Sequence, residues 1–153
     1  MCIRDRAVQA RAGTSYRFFG RAQGEASLNE PAFAALVEVG LKDRAQVRAA
    51  FLSHGERRAL ELAIALAMQP KLLLLDEPMA GTSHEETERL IAVLRRLKGR
   101  FPIMLIEHDM NAVFALADRI SVLIYGRILA SGAPEAVRAD PQVVAAYLGE
   151  SME

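Results

Sequence analysis

The sequence predicts an α/β fold, with a mainly parallel sheet flanked by helices, and three observations carry that reading. The stretch "KLLLLDEP" from Lys71 to Pro78 is continuously apolar up to its two acids, as a strand covered on both faces requires. A second apolar run, "FPIMLIEH" from Phe101 to His108, has the same character. Between them "SHEETERLIAVLRRLKG" places apolar residues at helical spacing. Strand, helix, strand in this order is the pattern of an α/β protein built on parallel crossovers.

The elements follow in chain order. The opening "MCIRDR" resembles a translated sequencing adapter and is left out of the fold. Residues Ala7 to Leu28 have weak periodicity, glycines at 13, 20 and 24, and an aromatic patch at Tyr16, Phe18 and Phe19; they read as loop with some helix. "NEPAFAALVEVG" predicts a short helix, with Asn29 as cap, Pro31 in the first turn and Gly40 just past the end. "LSHGERRALELAIALAMQP" predicts a helix from near Ser53 to Pro70, apolar on most faces after Arg58 and therefore buried. The leucine strand comes next, read as buried on both faces.

In the helix after it, Ser83 and Glu86 form an S-x-x-E capping box. Acids fill its first turn and Arg95, Arg96 and Lys98 its last, which suits the helix dipole. Leu90, Ile91, Leu94 and Leu97 make the core stripe, and Gly99 ends it. "FPIMLIEH" is a second buried strand, "NAVFALAD" a short helix, and "ISVLIY" and "RILASG" flank Gly126 as a hairpin. "APEAVRADPQVVAAYLG" supplies two small closing helices. No internal repeat or low-complexity segment interrupts this order.

Composition bounds the function. The chain has 153 residues, one domain's worth, with 52% apolar and 25% charged residues, as in a globular protein. Lysine plus arginine and aspartate plus glutamate number 19 each, so bulk charge points to neither nucleic acid nor an anionic membrane. Apolar runs stop at about seven residues, well short of the ~20 of a membrane span. The one cysteine, Cys2, cannot form an internal disulfide, which fits a reducing compartment.

Why should so apolar a strand end in two adjacent carboxylates? Strand side chains alternate faces, so Asp76 and Glu77 need not point at each other. In open α/β sheets ligands bind beyond the carboxyl ends of the strands. There one acid can hold Mg²⁺ through its water shell, an ion that takes only one or two carboxylates. The other then accepts a proton from an attacking water. Taken alone, "DEP" reads first as an acidic cap or a surface turn. His108, after the second strand, can donate and accept hydrogen bonds at once between water and a phosphate oxygen; alone, it is equally structural, and Glu107 and Asp109 beside it can pair with arginines. "LSHGE" at Leu52 to Glu56 is by itself a helix start, with Ser53 and Glu56 as a capping box. The same geometry makes an anion site from N–H groups, a hydroxyl and a helix dipole, and Gly55 admits a close phosphate.

As an ordered set, "LSHGE", "LLLLDEP", "AGTS" and "EHD" resemble the second half of an ABC-type nucleotide-binding domain, over roughly Ala34 to Gly149. "LSHGE", "DEPMAG", "IEHDM" and "YLGE" are most similar to the ATPase subunits of branched-chain amino acid importers. The resemblance implies the C-terminal part of a P-loop NTPase domain. Residues 1–69 would be a partial helical subdomain ending in the signature helix, and residues 70–153 the C-terminal half of the RecA-like core.

It also implies roles. Ser53, His54, Gly55 and Glu56 form the signature that meets ATP held by a partner. Asp76 holds Mg²⁺ through water, Glu77 is the catalytic base, Gly81 and Ser83 belong to the D-loop, and His108 is the switch histidine. The implied partners are a second ABC ATPase subunit, membrane permease subunits and, indirectly, a periplasmic binding protein, with no nucleic acid. The implied place is the cytoplasmic face of a prokaryotic inner membrane. The sequence departs from the family pattern at His54, where many relatives carry glycine, and at Thr82 and Ser83, where leucine followed by aspartate or asparagine is common.

A P-loop needs G-x-x-x-x-G-K-[ST]. The lysines are Lys42, Lys71 and Lys98, and none follows a glycine. Gln9 and Gln23 do not match the family's glutamine loop. The chain therefore reads as an N-terminally truncated fragment, expected to be inactive alone. The alternatives are a non-transport ABC-type ATPase of DNA repair or translation and a non-catalytic α/β module. Repair members carry a long heptad coiled coil before the signature, and translation members tandem domains; neither pattern is seen.

Overall fold

The computed structural model describes residues 26–148, with side chains described for residues 29–146. The patch at Tyr16, Phe18 and Phe19 and the glycines at 13, 20 and 24 lie outside them. The chain divides into two compact units between Glu107 and His108.

In the first unit, α1 spans Ala26–Glu38. Its start corrects the expectation: Asn29 and Pro31 lie inside the helix, not at its cap and first turn. An interior proline removes one helical hydrogen bond. The buried stripe Ala32, Ala35, Leu36 and Val39, at helical spacing, offsets that loss. Gly40, at φ +81°, ends α1 in a Schellman turn, where the Leu41 N–H reaches the Leu36 carbonyl at 2.8 Å and the Gly40 N–H the Val37 carbonyl at 3.1 Å.

Two 3₁₀ turns, Lys42–Arg44 and Ala49–Phe51, lead to α2, His54–Ala67. The predicted capping box is present: Ser53 Oγ accepts the Glu56 N–H at 3.1 Å, and the Glu56 carboxylate accepts the Ser53 N–H at 2.8 Å. Burial of α2 is narrower than expected. Leu62, Ala63, Leu66 and Ala67 are buried and Leu60 and Ile64 half-buried, whereas Glu61 is exposed. Ala32 and Leu36 of α1 meet Leu60, Ala63, Ile64 and Ala67 of α2 around a small gap.

Strand β1, Leu73–Asp76, pairs in parallel with β2, Ile103–Ile106, in the register Leu73↔Ile103 to Asp76↔Ile106. Helix α3, His84–Leu97, makes the crossover, with Leu90, Ile91, Val93, Leu94 and Leu97 buried. Leu97 is wholly buried, and Gly99 at φ +94° turns the chain away. The reading of both strands as buried on two faces is corrected. Leu73 is covered, but Leu74 is 62% exposed and Met104, its partner, 55%. Among the described residues the pair is packed on one face only.

In the second unit, Asp109 caps α4, Met110–Leu116, accepting the N–H groups of Asn111 and Ala112 at 2.9 and 3.3 Å. β3, Ile120–Ile124, and β4, Arg127–Gly132, form the predicted antiparallel hairpin. Tyr125 and Gly126 both take positive φ, 48° and 74°, as a two-residue type I′ turn requires. Helices α5, Pro134–Arg138, and α6, Pro141–Val143, follow, and α6 runs into a π turn, Val144–Leu148. Ile120, Val122, Val137 and Val143 form the core here, backed by Val113 and Phe114. The described sheets are thus one parallel and one antiparallel pair, the crossover and the hairpin that the sequence predicts. No helix of the described residues is long and apolar enough to cross a membrane.

One-sided packing of β1 has a measurable consequence. Leu73→Ala should cost about 2–5 kcal/mol in urea denaturation, as for a buried leucine, and Leu74→Ser under about 0.5 kcal/mol. Equal costs would mean that both faces are covered. A second expectation concerns Glu56. Its hydrogen bond from Arg44 Nε at 2.6 Å, and then the Ser53 N–H, hold its carboxyl below the ordinary value of 4.5. The ionised form therefore favours the folded state, fully so above pH 4.5 and less as pH falls through the depressed value. Glu56→Gln should be less stable than the parent at pH 7, and the gap should close on acidification below that range. A gap that persists would remove Glu56 as its source.

Candidate functional site

The loop from β1 to α3 begins with the acidic pair. Asp76 is the last residue of β1 and shares the open face with Leu72 and Leu74. Glu77 extends the ladder by one bond, its N–H reaching the Ile106 carbonyl at 2.9 Å, and then turns left-handed at φ +44°. A positive φ is unusual outside glycine and is held only where surroundings dictate it. Those surroundings are visible. The Glu77 carbonyl accepts the Ala80 N–H at 3.1 Å, and the Glu107 carboxylate accepts the Met79 N–H at 2.9 Å. Met79 itself is buried. The loop closes with Thr82, whose hydroxyl donates to the Met79 carbonyl at 2.7 Å, and with Gly81 at φ +72°. Both acids are exposed.

Next to this loop lies the N-terminus of α2. His54 Nε2 is 3.2 Å from the Ala80 carbonyl, and since a carbonyl only accepts, the ring nitrogen donates. A Cβ on Gly81 would stand 3.2 Å from the same nitrogen, so glycine allows this approach. His54, which departs from the family pattern, thus links the "LSHGE" segment to the "AGTS" loop.

A second link is stronger in donors. The Glu86 carboxylate, at the third position of α3, accepts from the Ser83 N–H at 3.0 Å and from the Ser83 hydroxyl at 3.1 Å. It also accepts from the Ser53 hydroxyl at 3.0 Å and lies close against Gly55. One carboxylate therefore serves the starts of two helices. The Ser83 N–H, and after it the Ser53 hydroxyl, hold the Glu86 carboxyl below its ordinary value. Glu86 was legible only as its own helix's capping residue; its reach to Ser53 and Gly55 spans two separate S-x-x-E boxes, and spacing alone cannot pair them.

Of the predicted site residues, Ser53, His54, Gly55, Gly81 and Ser83 are brought together, and Glu56 stands in the α2 cap on Arg44. Asp76 and Glu77 sit at the end of β1. His108 opens the second unit, exposed, between Glu107 and the cap residue Asp109. Glu107 accepts the Met79 N–H, and Asp109 caps α4. Among the described residues no three His, Cys, Asp or Glu side chains form a metal-holding group. A lone carboxylate at a strand end is the donor set for Mg²⁺ that keeps its waters and is shared with phosphates. Asp76 fits such an ion.

Comparison with known proteins identifies the family. The sequence matches the ABC transporter family over residues 7–80 and the "Branched-chain amino acid ATP-binding cassette transporter" family over residues 127–153. It is 42% identical over 135 residues to the high-affinity branched-chain amino acid transport ATP-binding protein LivG of Escherichia coli K12, covering 87% of this chain and 52% of LivG. It is 40% identical over 150 residues to the Fe(3+) ions import ATP-binding protein FbpC of Streptomyces coelicolor, covering 95% of this chain and 42% of FbpC. The ADP conformation of MJ1267, an ATP-binding cassette of an ABC transporter, aligns at TM-score 0.74 and 28% identity, over 89% of this chain and 54% of that one. The chain spans about half the length of the relatives it matches. It belongs to the ABC transporter ATP-binding family, with the P-loop NTPase fold of that family, and is closely related to the ATPases of branched-chain amino acid importers.

Proposed function

We propose that this chain is part of the ATP-binding and hydrolysing subunit of an importer for branched-chain or related hydrophobic amino acids, working at the cytoplasmic face of a prokaryotic membrane. The observation that carries the cargo is the match of residues 127–153 to the branched-chain cassette family. Overall identity is nearly equal toward an iron importer's subunit, 42% against 40%, so the reading of the cargo leans on β4 and the closing helices.

The residues present suit the chemistry. At the end of β1 the ladder bond from the Glu77 N–H and the turn to φ +44° fix where Asp76 and Glu77 leave the sheet. Asp76 would hold a magnesium ion through its waters, and that ion would supply neutralisation of phosphate charge. Glu77, one residue on, takes the proton of the attacking water. By the family resemblance His108 is the switch histidine, a hydrogen-bond partner for a phosphate oxygen. Ser53 and Gly55 offer a hydroxyl and an N–H at a helix start, a donor set suited to a phosphate held by a partner's P-loop. His54, bonded to the Ala80 carbonyl, ties this donor set to the D-loop residues Gly81 and Ser83. Residues up to 69 act as the helical subdomain and those from 70 as half of the ATPase core. In this reading two such domains close on ATP and reopen after hydrolysis, and permease subunits and a periplasmic binding protein share the cycle.

Two measurements test it. In a subunit that joins this chain to a glycine-rich lysine loop, Glu77→Gln should lower ATP turnover by ~10²–10⁴, the usual weight of a general base. Retained turnover would take Glu77 out of the role. The chain by itself should release no phosphate from Mg-ATP, because its sequence lacks the lysine loop; steady release would contradict the assignment of its nucleotide contacts to a partner.

A further inference from the structure

We infer that Glu86 is an internal plug for the signature, an anion of the chain's own that fills the donors meant for the partner's nucleotide phosphate and must withdraw before the two domains close. The inference rests on the reading of Ser53 and Gly55 given above.

The geometry that supports it is local. Ser53 Oγ donates to Glu86 Oε1 at 3.0 Å, and the same carboxylate lies directly against Gly55. The Ser53 hydroxyl and the space over Gly55 are what a phosphate oxygen would need. The approach is so close that a Cβ on Gly55 would lie 2.3 Å from Glu86 Cδ and 2.4 Å from Oε1. Atoms cannot occupy that space together, so Gly55 is the residue type this contact permits. A phosphate on the same donors would overlap the carboxylate and repel its charge.

Glu86 also has somewhere to go. Its Oε2 bonds the Ser83 N–H and hydroxyl of its own helix cap, and these bonds need neither Ser53 nor Gly55. Released from α2, the side chain keeps its capping box on α3. A glutamine at this position also completes a capping box, but carries no charge and presents a weaker acceptor to Ser53.

The device predicts an inverse effect: weakening a side chain that makes several hydrogen bonds should ease assembly. The test mixes this chain with an intact ABC ATP-binding subunit that has its own P-loop, and follows Mg-ATP-dependent association by analytical ultracentrifugation. Glu86→Gln should lower the Mg-ATP concentration for half-association about threefold to tenfold, the weight of one or two charge-assisted bonds. Glu86→Ala should do so as well, with far-ultraviolet circular dichroism reporting that α3 persists. Ser53→Ala should abolish association. Association that is unchanged or weakened in Glu86→Gln, with the Ser53→Ala loss intact, would overturn the plug and leave the signature reading standing. Association indifferent to Ser53→Ala would overturn the signature reading itself.

Discussion

The parallel register of β1 on β2 is the constraint on which the first unit depends. Pairing Asp76 with Ile106 sets the ends of both strands at one edge, and the bond from the Glu77 N–H to the Ile106 carbonyl carries the pairing one residue further. From that edge the chain must leave the sheet at once. The left-handed turn at Glu77 and the grip of Glu107 on the Met79 N–H achieve this. Slipping the register by one residue would turn Asp76 into the packed face beside Leu73 and place a carboxylate in the core. The acidic pair and the fold are therefore specified by the same pairing.

Polar side chains, not apolar packing, join the two helix starts. Helix α2 begins at Ser53 and α3 at Ser83, and each start exposes N–H groups that attract negative charge. Glu56 answers one start and is held by Arg44; Glu86 answers both. His54 adds a third tie through the Ala80 carbonyl. These bonds are surface bonds, individually modest, and so can be exchanged for others.

Much of this was legible in the residues. Both S-x-x-E boxes, the stripe of α3, the parallel strands, the hairpin about Gly126 and the closing helices follow from local chemistry, and local chemistry travels with the sequence. Other features did not. Pro31 suggested a helix start, yet burial of Ala32, Ala35 and Leu36 carries α1 through it. The runs "LLLL" and "IMLI" signalled cover on both faces, while the described residues cover only one. An apolar run reports the environment a strand is suited to, which the described residues supply in part. The shared use of Glu86 was hidden for another reason: contacts between elements far apart in sequence have no spacing to read.

The central claim is that Asp76 and Glu77 form a metal-and-water station served by nucleotide from a neighbouring polypeptide portion. Manganese can replace magnesium at an oxygen site and broadens nearby nuclear resonances. With the chain joined to a glycine-rich lysine loop and loaded with Mn-ATP, the amide signals of Asp76 and Glu77 should broaden beyond detection, and Asp76→Asn should restore those that remain. Sharp signals for both residues in the loaded protein would contradict the account.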